Sequence, residues 1–190
     1  LCLIRKQQTN TELINPIVGD ENVINKFISS LPFQITTAQK HVIEEISEDQ
    51  KSSSRMLRLL QGDVGSGKTL VALIALLRAV TSGKQAALLA PTELLSKQHF
   101  QNISQLLKCL DIQPALLIGS MSQKQKREVH EGLKSGKILL VIGTHALLTQ
   151  EIEFINLGLA VVDEQHRFGV KQRLVLGEKN GGCDVLIMTA

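Results

Sequence analysis

A short glycine-rich stretch constrains the fold of this chain more than any other feature of its sequence. Residues 62–69 read Gly-Asp-Val-Gly-Ser-Gly-Lys-Thr and match the pattern G-x-x-x-x-G-K-[S/T] at every fixed position. Glycines let such a loop turn its backbone N–H groups inward around phosphate oxygens, and a helix that begins at the loop adds the positive end of its dipole. The pattern therefore predicts a phosphate-binding loop. Its predicted contact residues are Gly62, Gly65, Ser66, Gly67, Lys68 and Thr69.

Two side chains of this loop have predicted chemical roles. Lys68 is placed to reach the β- and γ-phosphates of a nucleotide, and Thr69 to offer its hydroxyl to Mg²⁺. Met56–Leu60, before the loop, is an apolar strand candidate, and an apolar helix is predicted from Lys68 to about Thr81. A preceding strand and a following helix are the context in which this pattern binds phosphate.

Apolar strands and helices alternate along the rest of the chain. The predicted strands are Met56–Leu60, Gln85–Ala90, Pro114–Ile118, Ile138–Ile142, Leu159–Asp163 and Val185–Met188. The predicted helices run to about Ile46 after a capping box at Thr36 and Gln39, from Lys68 to about Thr81, from about Thr92 to Lys108, and from Ser122 to about Lys134, with a polar loop at 48–54. This alternation predicts an α/β domain with a mainly parallel sheet, helices on both faces and right-handed crossovers.

Composition excludes several classes of protein. Hydrophobic residues make up 43% of the chain, which argues against disorder, and the net charge of +3 is compatible with a nucleic-acid partner without requiring one. No apolar run reaches the roughly 18 residues of a membrane span, and the start of the chain lacks the pattern of a signal peptide. Cys2, Cys109 and Cys183 are widely spaced, so we expect neither a disulfide framework nor a zinc site, and a reducing cytoplasm is indicated.

A second stretch, Leu159–Glu164, reads as an apolar strand that ends in two acids. In an enzyme with a phosphate-binding loop, Asp163 would hold Mg²⁺, and Glu164 would orient and deprotonate the attacking water. Two acids at the end of a strand are otherwise often a solvated turn. Here they follow the loop by about a hundred residues, so both features can meet at the carboxyl edge of one sheet, where such sites form.

The acids are also part of a longer pattern. Asp163-Glu164-Gln165-His166 resembles the D-E-x-H box of superfamily-2 helicases. The resemblance implies that His166 links the nucleotide site to neighbouring motifs through hydrogen bonds and does not bind metal. RNA helicases of the D-E-A-D type match less well, because the fourth position here is His166.

A pattern near the start of the domain resembles the Q-type motif of the same helicases. Leu31-Pro32-Phe33 is followed by Thr36 and Gln39. The resemblance implies that Phe33 and Gln39 contact the nucleotide, with the glutamine at the adenine edge. Helix capping is the structural interpretation of Gln39, and both roles can hold together.

Three further segments extend the resemblance over most of residues 31–190. Ala90–Leu95 resembles motif Ia, and Gly143–Leu148 resembles the next motif that contacts the DNA strand. Met188-Thr189-Ala190 resembles motif III, in which Thr189 would couple hydrolysis to strand movement. The residues implied in DNA contact by the first two segments are Pro91, Thr92, Glu93, Gly143, Thr144 and His145.

Three details favour the RecG-type family over a generic superfamily-2 motor. They are the Leu-Pro-Phe entry at 31–33, the segment Leu117-Ile118-Gly119-Ser120 before a Lys/Gln-rich helix, and the stretch at 167–173. Within that stretch, the residues that would contact DNA or couple domains are Arg167, Gln172 and Arg173, and an exposed loop is the alternative. The transcription-repair coupling translocase shares much of this set and stays open as an alternative.

The resemblance implies a RecA-like P-loop NTPase fold, in which the strand that carries motif III lies between the phosphate-loop strand and the Asp-Glu strand. It implies a monomeric, cytoplasmic DNA helicase that uses ATP and Mg²⁺ to remodel forks and Holliday junctions in recombination and repair. Residues 31–190 would form the first helicase domain, and residues 1–30 a linker or a helix from an upstream domain.

A superfamily-2 motor also needs a second lobe that supplies arginine fingers, and a RecG-type enzyme uses an upstream wedge domain. The sequence contains neither, so we expect this chain by itself to hydrolyse ATP poorly. Two other classes are possible. A P-loop phosphotransferase would need an acceptor pocket and a lid, which nothing after Asp163 resembles. A truncated, non-catalytic nucleotide-binding module is the other, although Lys68 and Glu164 are intact.

Overall fold

The alternation of apolar strands and helices folds into one mainly parallel sheet in the computed structural model of the chain. The structure describes residues 1–5, 14–149, 151–163 and 182–189. The strands are β1 (Cys2–Arg5), β2 (Leu57–Gln61), β3 (Gln85–Leu89), β4 (Ala115–Leu117), β5 (Leu140–Gly143), β6 (Leu157–Asp163) and β7 (Asp184–Thr189). The helices are α1 (Glu21–Ser30), α2 (Thr37–Lys51), α3 (Lys68–Thr81), α4 (Glu93–Leu106) and α5 (Gln123–Lys134), with short 3-10 helices at Leu107–Cys109 and His145–Leu148.

The sheet has the strand order β1-β2-β7-β6-β3-β5-β4. Every neighbouring pair from β2 to β4 is parallel, and β1 pairs with β2 in the antiparallel sense. The predicted α/β class is therefore confirmed. The strand of motif III, β7, lies between β2 and β6, as the family resemblance implied. Strand β1 was not predicted, because residues 1–30 show no clear alternation of apolar and polar residues.

Apolar side chains fill both faces of the sheet. On β6, Val161 belongs to the core under α1 to α4, whereas its neighbour Val162 belongs to the core under α5. Because successive side chains of a strand point to opposite faces, strands buried on both faces read as continuous apolar runs. The predicted placement of helices on both faces is confirmed. No helix within the described ranges is long and apolar enough to cross a membrane.

Local sequence signals start most of the helices. Thr36 and Gln39 form the predicted capping box at α2, and Ser122 and Gln125 form an equivalent one at α5. Helix α2 runs to Lys51, however, so the prediction of a loop from residue 48 was wrong at its start. The extra turn is held by Gln50, which is fully buried and donates a hydrogen bond from Nε2 to the carbonyl of Ala75 on α3, at 3.1 Å.

The segment before residue 31 packs on this domain. The side chains of Ile17, Ile24 and Phe27 are buried in the core that lies under α1 to α4. Arg78 of α3 donates two hydrogen bonds to the carboxylate of Glu21, at 2.6 and 3.1 Å. Of the linker and the helix predicted as alternatives for residues 1–30, a helix is present, and it packs against α3 of the same chain. The origin of the segment in an upstream domain stays a prediction.

A buried glutamine joins three segments at the amino edge of the sheet, where the strands begin. The side chain of Gln85, at the start of β3, donates from Nε2 to the carbonyls of Leu133 and Ile138, each at 2.8 Å. Its Oε1 accepts from the backbone N–H groups of Ile155 and Asn156, at 2.8 and 3.1 Å. The two donors and two acceptor sites of the amide are all used, so its burial costs little free energy. These bonds hold the starts of β3, β5 and β6 together.

A buried acid lies at the same edge of the sheet. Asp184, at the start of β7, is 0% exposed and accepts a hydrogen bond from the N–H of Met56 at 2.7 Å. Its other carboxylate oxygen has no hydrogen-bond partner among the described residues. Burial raises the pKa of Asp184 to about 7, because the charged form is poorly solvated in the core.

We predict that Asp184 makes the stability of the fold depend on pH. The folded chain holds this proton more tightly than the unfolded chain, so stability falls as pH rises from about 4 to about 7. Asp184→Asn cannot ionise and keeps the acceptor for Met56. Urea denaturation should show the variant gaining about 1–3 kcal/mol on the wild type between pH 5 and pH 8. The exposed control Asp111→Asn should gain nothing, and an equal response of both variants would contradict the prediction.

Candidate functional site

The phosphate-binding loop lies where the sequence placed it, between the end of β2 and the start of α3. Gly65 and Gly67 have backbone φ angles of 84° and 83°, a region that side chains with a Cβ disfavour. The N–H of Gly62 donates to the carbonyl of Thr189 at 3.3 Å, so the first residue of the loop is tied to the end of β7. The loop therefore has the turned backbone that the glycines in its sequence predict.

Polar groups inside the loop fit a phosphate ligand. The ammonium of Lys68 donates to the carbonyl oxygens of Gly62 and Asp63, the latter at 2.8 Å, so the cation lies over the loop. The hydroxyl of Ser66 is buried and has no hydrogen-bond partner among the described residues. A buried hydroxyl without a partner is costly, and a phosphate oxygen in the loop would provide that partner.

Gln39 connects the Q-type motif to this loop. Its Oε1 accepts from the N–H of Thr36 at 2.9 Å, which completes the capping box of α2. Its Nε2 donates to the carbonyl of Ser66 at 3.0 Å, and a Cβ at Gly67 would collide with the same amide. The capping interpretation is confirmed, and the glutamine also supports the phosphate-binding loop. Contact between Gln39 and an adenine stays a prediction.

A cleft of about 750 Å³ opens beside the loop at the carboxyl edge of the sheet. One wall is the turn between α1 and α2, including Phe33, whose side chain is 51% exposed. Residues of α4 also line the cleft, and so do Thr69 and Asp163. The structure therefore brings residues from the predicted phosphate, nucleotide-base and metal sites to a single cavity.

Asp163 has a partner that the sequence did not reveal. His99 of α4 lies 2.7 Å from Asp163, measured from Nε2 to Oδ2. The two side chains are 12% and 17% exposed. The sequence does not indicate this pair, because 64 residues separate His99 from Asp163 and no local pattern links them.

Two of the residues that line the cleft suit a magnesium ion. Thr69 offers a hydroxyl and Asp163 a carboxylate, and oxygen ligands of this kind are the ones Mg²⁺ prefers. Magnesium is normally held by one or two protein groups together with water and phosphate. A single carboxylate beside a phosphate-binding loop is therefore a sufficient protein contribution.

The predicted strand-contact residues lie at the same sheet edge, beyond the cleft. Thr92 caps α4 by accepting from the N–H of Leu95 at 3.2 Å. Glu93 accepts from the N–H of Ser120 at 2.9 Å and from its hydroxyl at 2.5 Å. The Ser120 hydrogen bond holds the pKa of Glu93 below its usual value. Glu93 therefore joins the start of α4 to the loop before α5, and its contact with DNA stays a prediction.

The segment after β5 completes this edge. The carbonyl of Gly143 accepts from the N–H of Ala90, just before Pro91, at 2.8 Å. Thr144 is buried and its hydroxyl accepts from the N–H of Ala146 at 3.4 Å, whereas His145 is exposed. His145 is therefore accessible to a ligand, and Thr144 acts on the backbone of its own loop.

Several predicted site residues lie outside the described residues. They are Glu164, His166, Arg167, Gln172 and Arg173. Their predicted roles, as the group that activates water, the coupling histidine and the DNA contacts, stay predictions.

Comparison with known proteins identifies similar chains. A family model described as DEAD/DEAH box helicase matches residues 36–189. The ATP-dependent DNA helicase RecG of Aquifex aeolicus is 46% identical over 190 residues, which cover 99% of this chain and 24% of that protein. RecG of Bacillus subtilis is 48% identical over 186 residues, which cover 98% of this chain and 27% of that protein.

A solved structure of RecG bound to a three-way DNA junction is also similar. It has a TM-score of 0.82 and 42% identity, and the match covers 91% of this chain and 23% of that one. The predicted RecA-like fold and the resemblance to the RecG-type family are confirmed. The chain spans about a quarter of the length of the curated relatives it matches.

We predict that Gln39→Ala weakens nucleotide binding. The variant loses the bond to Ser66 that supports the loop, so the affinity for a fluorescent ADP analogue should fall by about 5- to 10-fold. Gln125→Ala removes the equivalent capping residue of α5, far from the loop in sequence. Gln125→Ala should lower the free energy of unfolding by about 1 kcal/mol, as the loss of a helix cap does. It should leave the affinity for the ADP analogue unchanged. Equal affinities of the wild type and Gln39→Ala would refute the role of Gln39.

Proposed function

The chain belongs to the DEAD/DEAH box helicase family, and on this basis we propose that it is the nucleotide-binding half of an ATP-dependent DNA helicase that remodels branched DNA. The observation that carries the proposal is the convergence of Thr69 and Asp163 on one cleft beside a complete phosphate-binding loop. The similarity to RecG over nearly the whole chain supports the choice of DNA as substrate.

The proposed chemistry is hydrolysis of ATP. Lys68 would move from the loop carbonyls to the β- and γ-phosphates and neutralise charge there. Thr69 and Asp163 would hold a magnesium ion, which would supply positive charge beside the phosphate oxygens. Glu164 would accept the proton of the attacking water. Phe33 and Gln39 would contact the adenine.

The proposed DNA contacts lie along the carboxyl edge of the sheet. Backbone N–H groups at the start of α4, near Thr92, and the exposed His145 are available to phosphate oxygens. Arg167, Gln172 and Arg173 would add side-chain contacts. Thr189 would couple the two functions, and its carbonyl accepts a hydrogen bond from the N–H of Gly62 in the loop. His166 would serve the same coupling from β6.

The proposed setting is recombination and repair in the cytoplasm, with forks and Holliday junctions as substrates and a monomer as the active form. In RecG relatives, about three quarters of the length lies outside the part that matches this chain. We propose that a second lobe with arginine fingers and a wedge domain lie in those parts. Without the fingers, the charge of the transition state is incompletely stabilised, so this chain alone would hydrolyse ATP slowly.

A chimeric enzyme tests the proposed function. The matching segment of Bacillus subtilis RecG, 48% identical, would be replaced by this chain, and ATP hydrolysis would be measured with and without a three-way DNA junction. The chimera should show junction-stimulated hydrolysis. Lys68→Ala should lower the stimulated rate by about 100-fold or more, because it removes a cation at the developing phosphate charge.

Lys26→Ala is the matched control, since Lys26 is an exposed lysine of α1 away from the cleft. It should leave the stimulated rate unchanged. Undiminished junction-dependent hydrolysis by the Lys68→Ala chimera would contradict the proposal. So would a folded chimera that binds ATP and ignores DNA.

A further inference from the structure

The contact between His99 and Asp163 joins α4 to the end of β6. Asp163 is the last residue of β6, and His99 lies in the second turn of α4. The 2.7 Å separation of Nε2 and Oδ2 is that of a direct hydrogen bond. Both side chains are largely removed from solvent, so water competes little for either partner.

The direction of this bond follows from the chemistry of the partners. An ionised carboxylate can only accept hydrogen bonds, so the imidazole Nε2 carries the hydrogen and donates it. Oδ2 of Asp163 is thereby occupied, and rotation of the carboxylate about its side-chain bonds is restricted. Oδ1 is the oxygen left for another ligand.

We propose that His99 is a positioning residue for Asp163, which it holds in the orientation that accepts the magnesium ion. The proposal rests on the assignment of Asp163 to the metal in the proposed function. Groups that orient a metal ligand in this way commonly contribute 10- to 100-fold to metal affinity. His99 itself does not contact the metal.

The position of His99 on α4 also connects the metal site to the proposed DNA edge. Helix α4 is capped at its start by Thr92, whose carbonyl accepts from both the N–H and the hydroxyl of Ser96, each at 3.0 Å. Glu93 ties this first turn to Ser120. His99 follows Thr92 by about 10 Å along the helix axis.

A purely structural link between α4 and β6 is the alternative role for this pair. The two roles differ in what the loss of His99 changes. A residue that only links α4 to β6 contributes equally to nucleotide binding with and without Mg²⁺. A positioning residue contributes only to the part of the affinity that depends on Mg²⁺.

The test measures binding of a fluorescent ADP analogue to the whole chain, in excess Mg²⁺ and separately in EDTA. His99→Ala should weaken binding by about 10-fold in Mg²⁺ and leave binding in EDTA unchanged. His99→Gln places an amide N–H near the position of Nε2 and should restore most of the loss. Gln101→Ala, at an exposed position of the same helix outside the cleft, is the control and should behave as the wild type in both conditions. Far-UV circular dichroism confirms that each variant is folded.

The Asp163→Asn background completes the test. His99→Ala should have no additional effect there, because the carboxylate it orients is gone. Equal losses in Mg²⁺ and in EDTA, or a full additional loss in the Asp163→Asn background, would overturn the positioning role. If instead the wild type binds equally with and without Mg²⁺ and Asp163→Asn changes nothing, the metal assignment of the proposed function is the claim that fails.

Discussion

Parallel pairing of three adjacent strands is the constraint on which the site depends. Strand β7 pairs with β2 on one side and with β6 on the other, with Thr189 opposite Gln61 and Met188 opposite Asp163. The phosphate-binding loop and Asp163, the proposed metal ligand, therefore leave the sheet at the same edge and at the same level. Because carboxyl ends of parallel strands meet at one edge, this register brings together groups that lie about a hundred residues apart in sequence.

The rest of the core keeps that register in place. A strand that slips by one residue turns its buried side chains to the opposite face, and here both faces are packed with apolar residues. Gln85 adds four directed hydrogen bonds at the amino edge of the sheet. Asp184 is different, since a buried acid with a raised pKa opposes folding at higher pH. The hydrogen bonds of Gln85 therefore stabilise the core, whereas Asp184 destabilises it at higher pH.

Features encoded by neighbouring residues were predictable from the sequence. The loop at 62–69, the capping box of α2, and the α/β alternation follow from local spacing and from the period of apolar residues. The position of β7 was available only through the family resemblance, because spacing does not fix strand order. The packing of α1 and the pairing of β1 were missed, since both depend on partners distant in sequence. The bond between His99 and Asp163 was missed for the same reason.

We propose that the phosphate-binding loop and Asp163 of β6 form one nucleotide site. Two-dimensional NMR of the ¹⁵N-labelled chain, titrated with ADP and Mg²⁺, tests it most directly. We expect the largest amide shifts on residues 62–69, on Phe33 and Gln39, and on Asp163, with the Asp163 shift requiring Mg²⁺. Shifts confined to α5, or none at saturating nucleotide, would contradict it.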